Sequence, residues 1–198
     1  MARRYDHNRE ELQALAIAAG YQILEEEGME SLSMRKIAQA MGYTVGTLYN
    51  LFEDYYDLML HLNAQSLDAL QLVLQEAREP HLSGVVAVQN MAQAYLGFAR
   101  EHTHLWHAIF HLPHPEDRSL PEWYSAKIEE VFAHIVPLLL PVVGQDSKAA
   151  QLHATRLWAS VHGVCVLHVT GRTERLETES PFAMADAVID CYIKGLSV

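Results

Sequence analysis

Residues Ser33–Phe52, SMRKIAQAMGYTVGTLYNLF, constrain the fold more than any other part of the chain. They form two short amphipathic stretches separated by a glycine, each starting after a hydroxyl residue. Ser33 is placed to N-cap a helix carrying Met34, Ile37, Ala38 and Met41 on its apolar stripe. Gly42 closes that helix, because glycine readily takes the left-handed conformation of a C′ position. Thr44 is placed to cap a second helix in which Leu48, Leu51 and Phe52 face inward. Thr47, Tyr49 and Asn50 then face outward. This is the pattern of a helix-turn-helix, whose second helix enters a DNA major groove. A plain helical hairpin inside a bundle has the same spacing, so the motif alone leaves both readings open.

The flanks narrow the choice. Arg9–Glu27 reads as one helix with Leu12, Ala16, Ala19 and Ile23 on one face, and Gly28 ends it. After Phe52, Asp54 is placed to cap a long fourth helix beginning near Tyr55. Taken together, Ala16–Met59 resembles the DNA-binding domain of the TetR family of bacterial repressors. The resemblance is carried by Ala19, Gly28, Ser33-Met34-Arg35-Lys36-Ile37-Ala38, Met41-Gly42-Tyr43-Thr44, Gly46-Thr47-Leu48-Tyr49, Phe52 and Leu58. It implies a helix-turn-helix domain over residues 1–54. A helical effector-binding and dimerisation domain over 55–198 would follow, with 55–78 as the linking helix.

The charge looks adverse for a DNA binder, since the 198-residue chain carries a net −11. Within Met1–Asp57, five cations (Arg3, Arg4, Arg9, Arg35 and Lys36) face ten Asp and Glu residues. Position matters more than the sum. Residues 1–9 hold three arginines and one aspartate, a local +2. Glu25, Glu26, Glu27 and Glu30 cluster at the far end of the first helix. Phosphate contacts set register and base contacts set sequence. Arg35, Thr44, Thr47 and Tyr49 are the candidates for phosphate, and Tyr43, Val45 and Gly46 for bases, with Asn50 on the same outward face. Two positions depart from the family pattern. Leu51 stands where the resemblance implies histidine, and Tyr55 where it implies lysine. The Tyr55 hydroxyl can still donate one hydrogen bond. Modest non-specific affinity and a shallow salt dependence are the expectation.

Beyond Arg78 only helical patterns appear: Gly84–His102, Thr103 to Leu112 with Thr103 as a cap, Pro121 to about Leu140, Ser147–Val169 and Pro181–Leu196. Pro137 should kink or end the helix that contains it. The chain therefore reads as all-α, with about nine helices. The last two helices carry wide apolar stripes that include Leu157, Val161, Val164 and Leu167, then Val188 and Tyr192. In TetR-like proteins such helices pair with their copies, and a palindromic operator needs two recognition helices. A homodimer through these six residues is expected. Trp158, His162 and Gly163 resemble the signature of the WHG-type C-terminal domain of one TetR branch.

Aromatic residues concentrate between these elements. Tyr95, Phe98, Trp106, Phe110, Trp123, Trp158 and His162 are the candidates for binding a small hydrophobic or aromatic effector. Any one of these rings can equally be core. Twelve histidines are present, five of them within His102, His104, His107, His111 and His114. The i, i+4 pair His107 and His111 makes a metal- or haem-sensing regulator the alternative, and a response to acid pH a third reading. No metal site or cofactor is assigned. An enzyme is not expected: there is no glycine-rich phosphate loop or nucleophile elbow, and Ser160 and His162 at i, i+2 face different ways. No apolar run of about 18 residues and no signal peptide is present, and only Cys165 and Cys191 occur, so a cytoplasmic protein that meets no membrane is expected.

Overall fold

The computed structural model describes residues 7–79, 81–82, 84–113, 115, 117–173 and 179–196. Arg3 and Arg4, and His114 of the histidine series, lie outside them. Ten α-helices and one 3-10 turn, with no strand, make up the regular structure of the described residues. Two compact units form, Met1–Ser66 with His104–Ser119, and Leu67–Thr103 with Leu120–Val198. The first unit thus extends beyond the 1–54 segment expected from sequence, because residues 55–66 and 104–119 also belong to it.

In the first unit, α1 (Arg9–Glu27) starts at a capping box: the Glu11 amide donates to Asn8 Oδ1 and the Asn8 amide to Glu11 Oε2, each at 2.9 Å. Gly28 ends it at φ 81°, a conformation that disfavours a side chain. The short helices α2 (Met34–Met41) and α3 (Val45–Leu51) pack on α1 and on each other. The Lys36 amide donates to Ser33 Oγ, the expected cap. Gly42 takes the left-handed conformation at φ 75°, and its N–H donates back to Ala38 and Gln39 carbonyls. Thr44 sits at the N-cap of α3 with an extended backbone, but its hydroxyl meets Thr47 Oγ1 at 3.1 Å and caps no amide. The helix α4 (Tyr55–Glu76) starts as expected, with the Asp57 amide donating to Asp54 Oδ1 at 2.7 Å. Its first half belongs to this unit and its second half to the other.

The core of the first unit joins Ala16, Ile23 and Leu24 of α1, Ile37 and Ala38 of α2, Leu48 and Leu51 of α3, and Leu58, Met59 and Leu62 of α4. Helix α6 (Thr103–His111) adds Leu105 and Ala108 to the same core. The fully buried Asn63 amide donates to the Ala108 carbonyl at 2.9 Å, and the His104 Nδ1 donates to the Glu25 carbonyl at the same distance. Thr103 does not cap α6. Its hydroxyl donates back to the Ala99 and Arg100 carbonyls of the preceding turn.

The second unit is built on α5 (Gly84–Glu101), α9 (Ser147–Val169) and α10 (Pro181–Leu196), which pack on one another. Around them lie α7 (Glu122–Phe132) and the single turn α8 (Val136–Leu139). The expected helix from Pro121 to Leu140 is broken in two. A proline ring at 137 would meet the carbonyl of Ala133, so α7 stops at Phe132 and Pro137 starts the next turn. Asp146 caps α9 through the Lys148 and Ala149 amides. Gln93 holds α10 by donating to the Phe182 carbonyl and to Asp186 Oδ1, and Lys127 of α7 pairs with Asp68 of α4. Among the described residues, no helix is long and apolar enough to cross a membrane.

Candidate functional site

Helix α3 presents two unlike faces. Leu48 and Leu51 are buried in the first unit's core, and Val45 is partly buried against it. Thr44, Gly46, Tyr49 and Asn50 are exposed, while Tyr43 and Thr47 are half-buried. Tyr49 is 59% exposed, so its ring is not a core element on α1. A Cβ built on Gly46 would meet only Thr44 Oγ1, at 3.7 Å, so the backbone there can come close to a flat partner. Arg35 is exposed at the start of α2 and has no ion-pair partner among the described residues, whereas Lys36 is paired with Glu27. The outward face of α3 therefore offers hydroxyls, an amide and a phenol, and α2 adds one open guanidinium, groups that suit phosphate and base-edge hydrogen bonding.

Tyr55 does not join that face. It packs against the core, its hydroxyl donates to the Leu32 carbonyl at 3.5 Å, and burial pushes its phenol above the ordinary range. Its aromatic ring finds apolar company inside, and the inward pose leaves the hydroxyl turned away from a phosphate. Leu51, which replaces the histidine implied by the family, is likewise a core residue.

Sequence inspection missed the joint between α3 and α4. Arg118 donates from Nη1 to Asp54 Oδ2 at 2.6 Å and from Nη2 to Glu53 Oε2 at 2.5 Å. Its guanidinium also lies over the Tyr56 ring, 5.4 Å from the centroid. Asp54 is held below the usual carboxylate range, first by the Asp57 amide and then by Arg118. No local pattern marks such a contact, because the partners are 64 and 65 residues apart.

The seven effector candidates do not form one group. In the second unit, Tyr95 of α5 and His162 of α9 share a hydrogen bond of 2.8 Å between the hydroxyl and Nδ1. The Trp158 ring lies 5.1 Å from the His162 ring, and Phe132 of α7 meets Trp158 edge-on at 5.8 Å. Trp158 and His162 are half-buried, which leaves a polar pair beside an aromatic wall. Phe98 is buried and meets His102 instead, with the rings tilted and 5.1 Å apart, and Trp123 is exposed beside Tyr124. Trp106 and Phe110 lie on α6 in the first unit, with rings 5.2 Å apart, because that helix packs with α1 and α4.

The histidines of α6 also part company. His107 and His111 stack in parallel at 4.0 Å, and His111 Nδ1 donates to the His107 carbonyl. His104 is turned to Glu25. Burial first, then the neighbouring His111, pulls the His107 pKa down. Among the described residues no three His, Cys, Asp or Glu side chains converge as a metal set.

The six residues expected at the dimer interface differ in their exposure. Leu157, Val161 and Val164 are 2%, 5% and 6% exposed within the single chain, because they fill the core of the second unit. Leu167, Val188 and Tyr192 are half-buried, and the Tyr192 hydroxyl shares a hydrogen bond of 2.8 Å with His153 Nδ1. The open faces are others: Leu152, Ala159 and Gly163 on α9, and Ala183, Ala187 and Cys191 on α10.

A helix-turn-helix whose second helix projects a polar face, joined to a second helical unit, is the architecture of a DNA-binding transcription regulator. Residues 16–62 match the model of bacterial regulatory proteins of the tetR family, and residues 88–192 match that of a tetracyclin repressor-like C-terminal domain, which spans Trp158–Gly163. The chain belongs to the TetR family of transcriptional regulators. It is similar to an uncharacterized HTH-type transcriptional regulator of Mycobacterium tuberculosis, 27% identical over 159 residues that cover 80% of this chain and 71% of the relative. Its fold is shared with a Rhodococcus sp. RHA1 protein of unknown function, at a TM-score of 0.75, 21% identity and full coverage of both chains. The fold is also that of Thermus thermophilus FadR, a TetR-family transcriptional repressor in complex with lauroyl-CoA, at a TM-score of 0.68 and 14% identity over 94% of this chain and 95% of that one.

Proposed function

We propose that the protein is a cytoplasmic repressor that binds a palindromic operator as a homodimer and leaves it when a small hydrophobic or aromatic effector binds. The observation that carries the reading is the split face of α3. Leu48 and Leu51 anchor the helix, while Thr44, Gly46, Tyr49 and Asn50 stay open, and Arg35 is exposed at the start of α2. Arg35, Thr44, Thr47 and Tyr49 serve the phosphates, and Tyr43, Val45 and Gly46 the base edges. The homodimer is supported by the exposed apolar residues of α9 and α10, Leu152, Ala159, Gly163, Ala183 and Ala187, which a second copy could cover. The effector site is supported by Tyr95, His162, Trp158 and Phe132, an apolar wall with one polar pair. FadR, which shares the fold, holds an acyl thioester, and this agrees with a largely apolar effector here.

Coupling follows from population shift. DNA favours the arrangement with half-sites about 34–36 Å apart, the effector favours another, and each weakens the other's binding by the same factor. The chain joins the units inside α4 and at both ends of the 104–119 segment, so a change in the second unit has three covalent routes to the first. The test is a binding titration with DNA from upstream of the protein's own gene, and with a random duplex pool. Enrichment of a palindrome supports the reading, and a pool that yields no preferred sequence refutes it. Replacing Trp158 with Ala should raise the effector concentration needed for release, and unchanged release would remove Trp158 from the site.

A further inference from the structure

We propose that Arg118 is a positioning residue for DNA binding, which braces the joint behind the recognition helix and offsets one of the two negative charges of Glu53 and Asp54 there. The inference rests on the DNA-binding reading above. Helix α3 ends at Leu51, and the next turn places two carboxylates at 53 and 54, a few residues from exposed Tyr49 and Asn50. The Glu53 side chain is 75% exposed. A phosphate backbone lying on this face would meet that charge at short range, and the chain is already strongly acidic, at −11.

Arg118 meets both carboxylates at once, one guanidinium nitrogen to each. Among the described residues it is the cation paired with them. The planar Tyr56 ring under the guanidinium fixes its tilt. Asp54 has a second duty, since its other oxygen accepts the Asp57 amide and starts α4. The Glu53 amide in turn donates to Asp57 Oδ2 at 3.0 Å. Arg118 therefore closes a small network that sets how the chain leaves α3 and enters α4. It reaches there from residues 104–119, a segment that sequence reading assigned to the effector-binding domain.

The experiment compares the full-length protein with Arg118→Ala, Arg118→Lys and Arg118→Ala/Glu53→Gln on a duplex of about 30 base pairs selected by the wild type, over a range of salt. The Ala variant exposes one more uncompensated charge in each subunit. Affinity should fall about 5-fold at low salt, and the loss should shrink below about 2-fold near 0.5 M, where exposed charges are screened. Lysine should retain most of the affinity, and the added Glu53→Gln change should restore part of what Ala removes. Circular dichroism confirms that each variant is folded. Unchanged affinity in Arg118→Ala overturns the inference and leaves DNA binding intact. A loss that is equal at all salt concentrations and is not rescued by Glu53→Gln overturns it too, as a packing effect alone. A wild type that selects no duplex overturns both this inference and the function on which it rests.

Discussion

Replacing Gly163 with leucine separates the fold of one subunit from the assembly of two. Gly163 lies in the middle of α9 on an exposed face, and a Cβ built on it meets nothing within 4 Å. Within a single chain the substitution should help. Glycine in a helix interior costs about 0.8–1 kcal/mol relative to a good helix former, and leucine is one. The proposed dimer reverses the sign. If α9 lies against its twin at Ala159 and Gly163, each inserted side chain overpacks the interface by about 1–3 kcal/mol. Twofold symmetry doubles this to about 2–6 kcal/mol, or roughly 30-fold to 20,000-fold weaker association. Sedimentation velocity over a dilution series reads the dissociation constant, and far-ultraviolet dichroism reads the fold. The expected result is an undiminished helical signal, a monomer at micromolar concentration and loss of operator binding. A variant that dimerises like the wild type would refute the assignment of this face. One that loses helix would refute the claim of open space around Gly163.

Two further outcomes follow from the same geometry. Replacing Tyr95 with Phe removes the hydroxyl that meets His162 Nδ1, which should cost about 1 kcal/mol, lower the melting temperature by about 2–4 °C and raise the effector concentration that releases DNA. An unchanged release midpoint would take this pair out of the ligand site. His107 predicts an acid-sensitive first unit. Burial, and then its stacked neighbour His111, with a smaller contribution from His104, hold its pKa below the ordinary 6.5 against the opposing pull of Glu30, so the unfolded chain takes up the proton more readily. Stability should be full above pH 6.5 and decline as pH falls through it, levelling off once the folded form is also protonated. Melting curves at neutral and mildly acid pH should show this decline in the wild type and less of it in His107→Gln; equal slopes would refute the assignment.

Much of the molecule was legible in the order of its residues. Caps and stops are local chemistry: Ser33, Gly42 and Asp54 act on amides and carbonyls within a few positions, so they mark α2 and α4 wherever the chain goes. Helical periodicity likewise puts Leu48 and Leu51 on one side of α3 and Tyr49 and Asn50 on the other. Periodicity names a stripe but not the surface that covers it. It could not tell that Leu157, Val161 and Val164 fill their own subunit while Gly163 stays open, or that Tyr55 turns inward to the Leu32 carbonyl. Nor could it bring α6 into the first unit or carry Arg118 to Asp54, because contacts between residues tens of positions apart depend on how the helices pack, which sequence spacing alone does not specify.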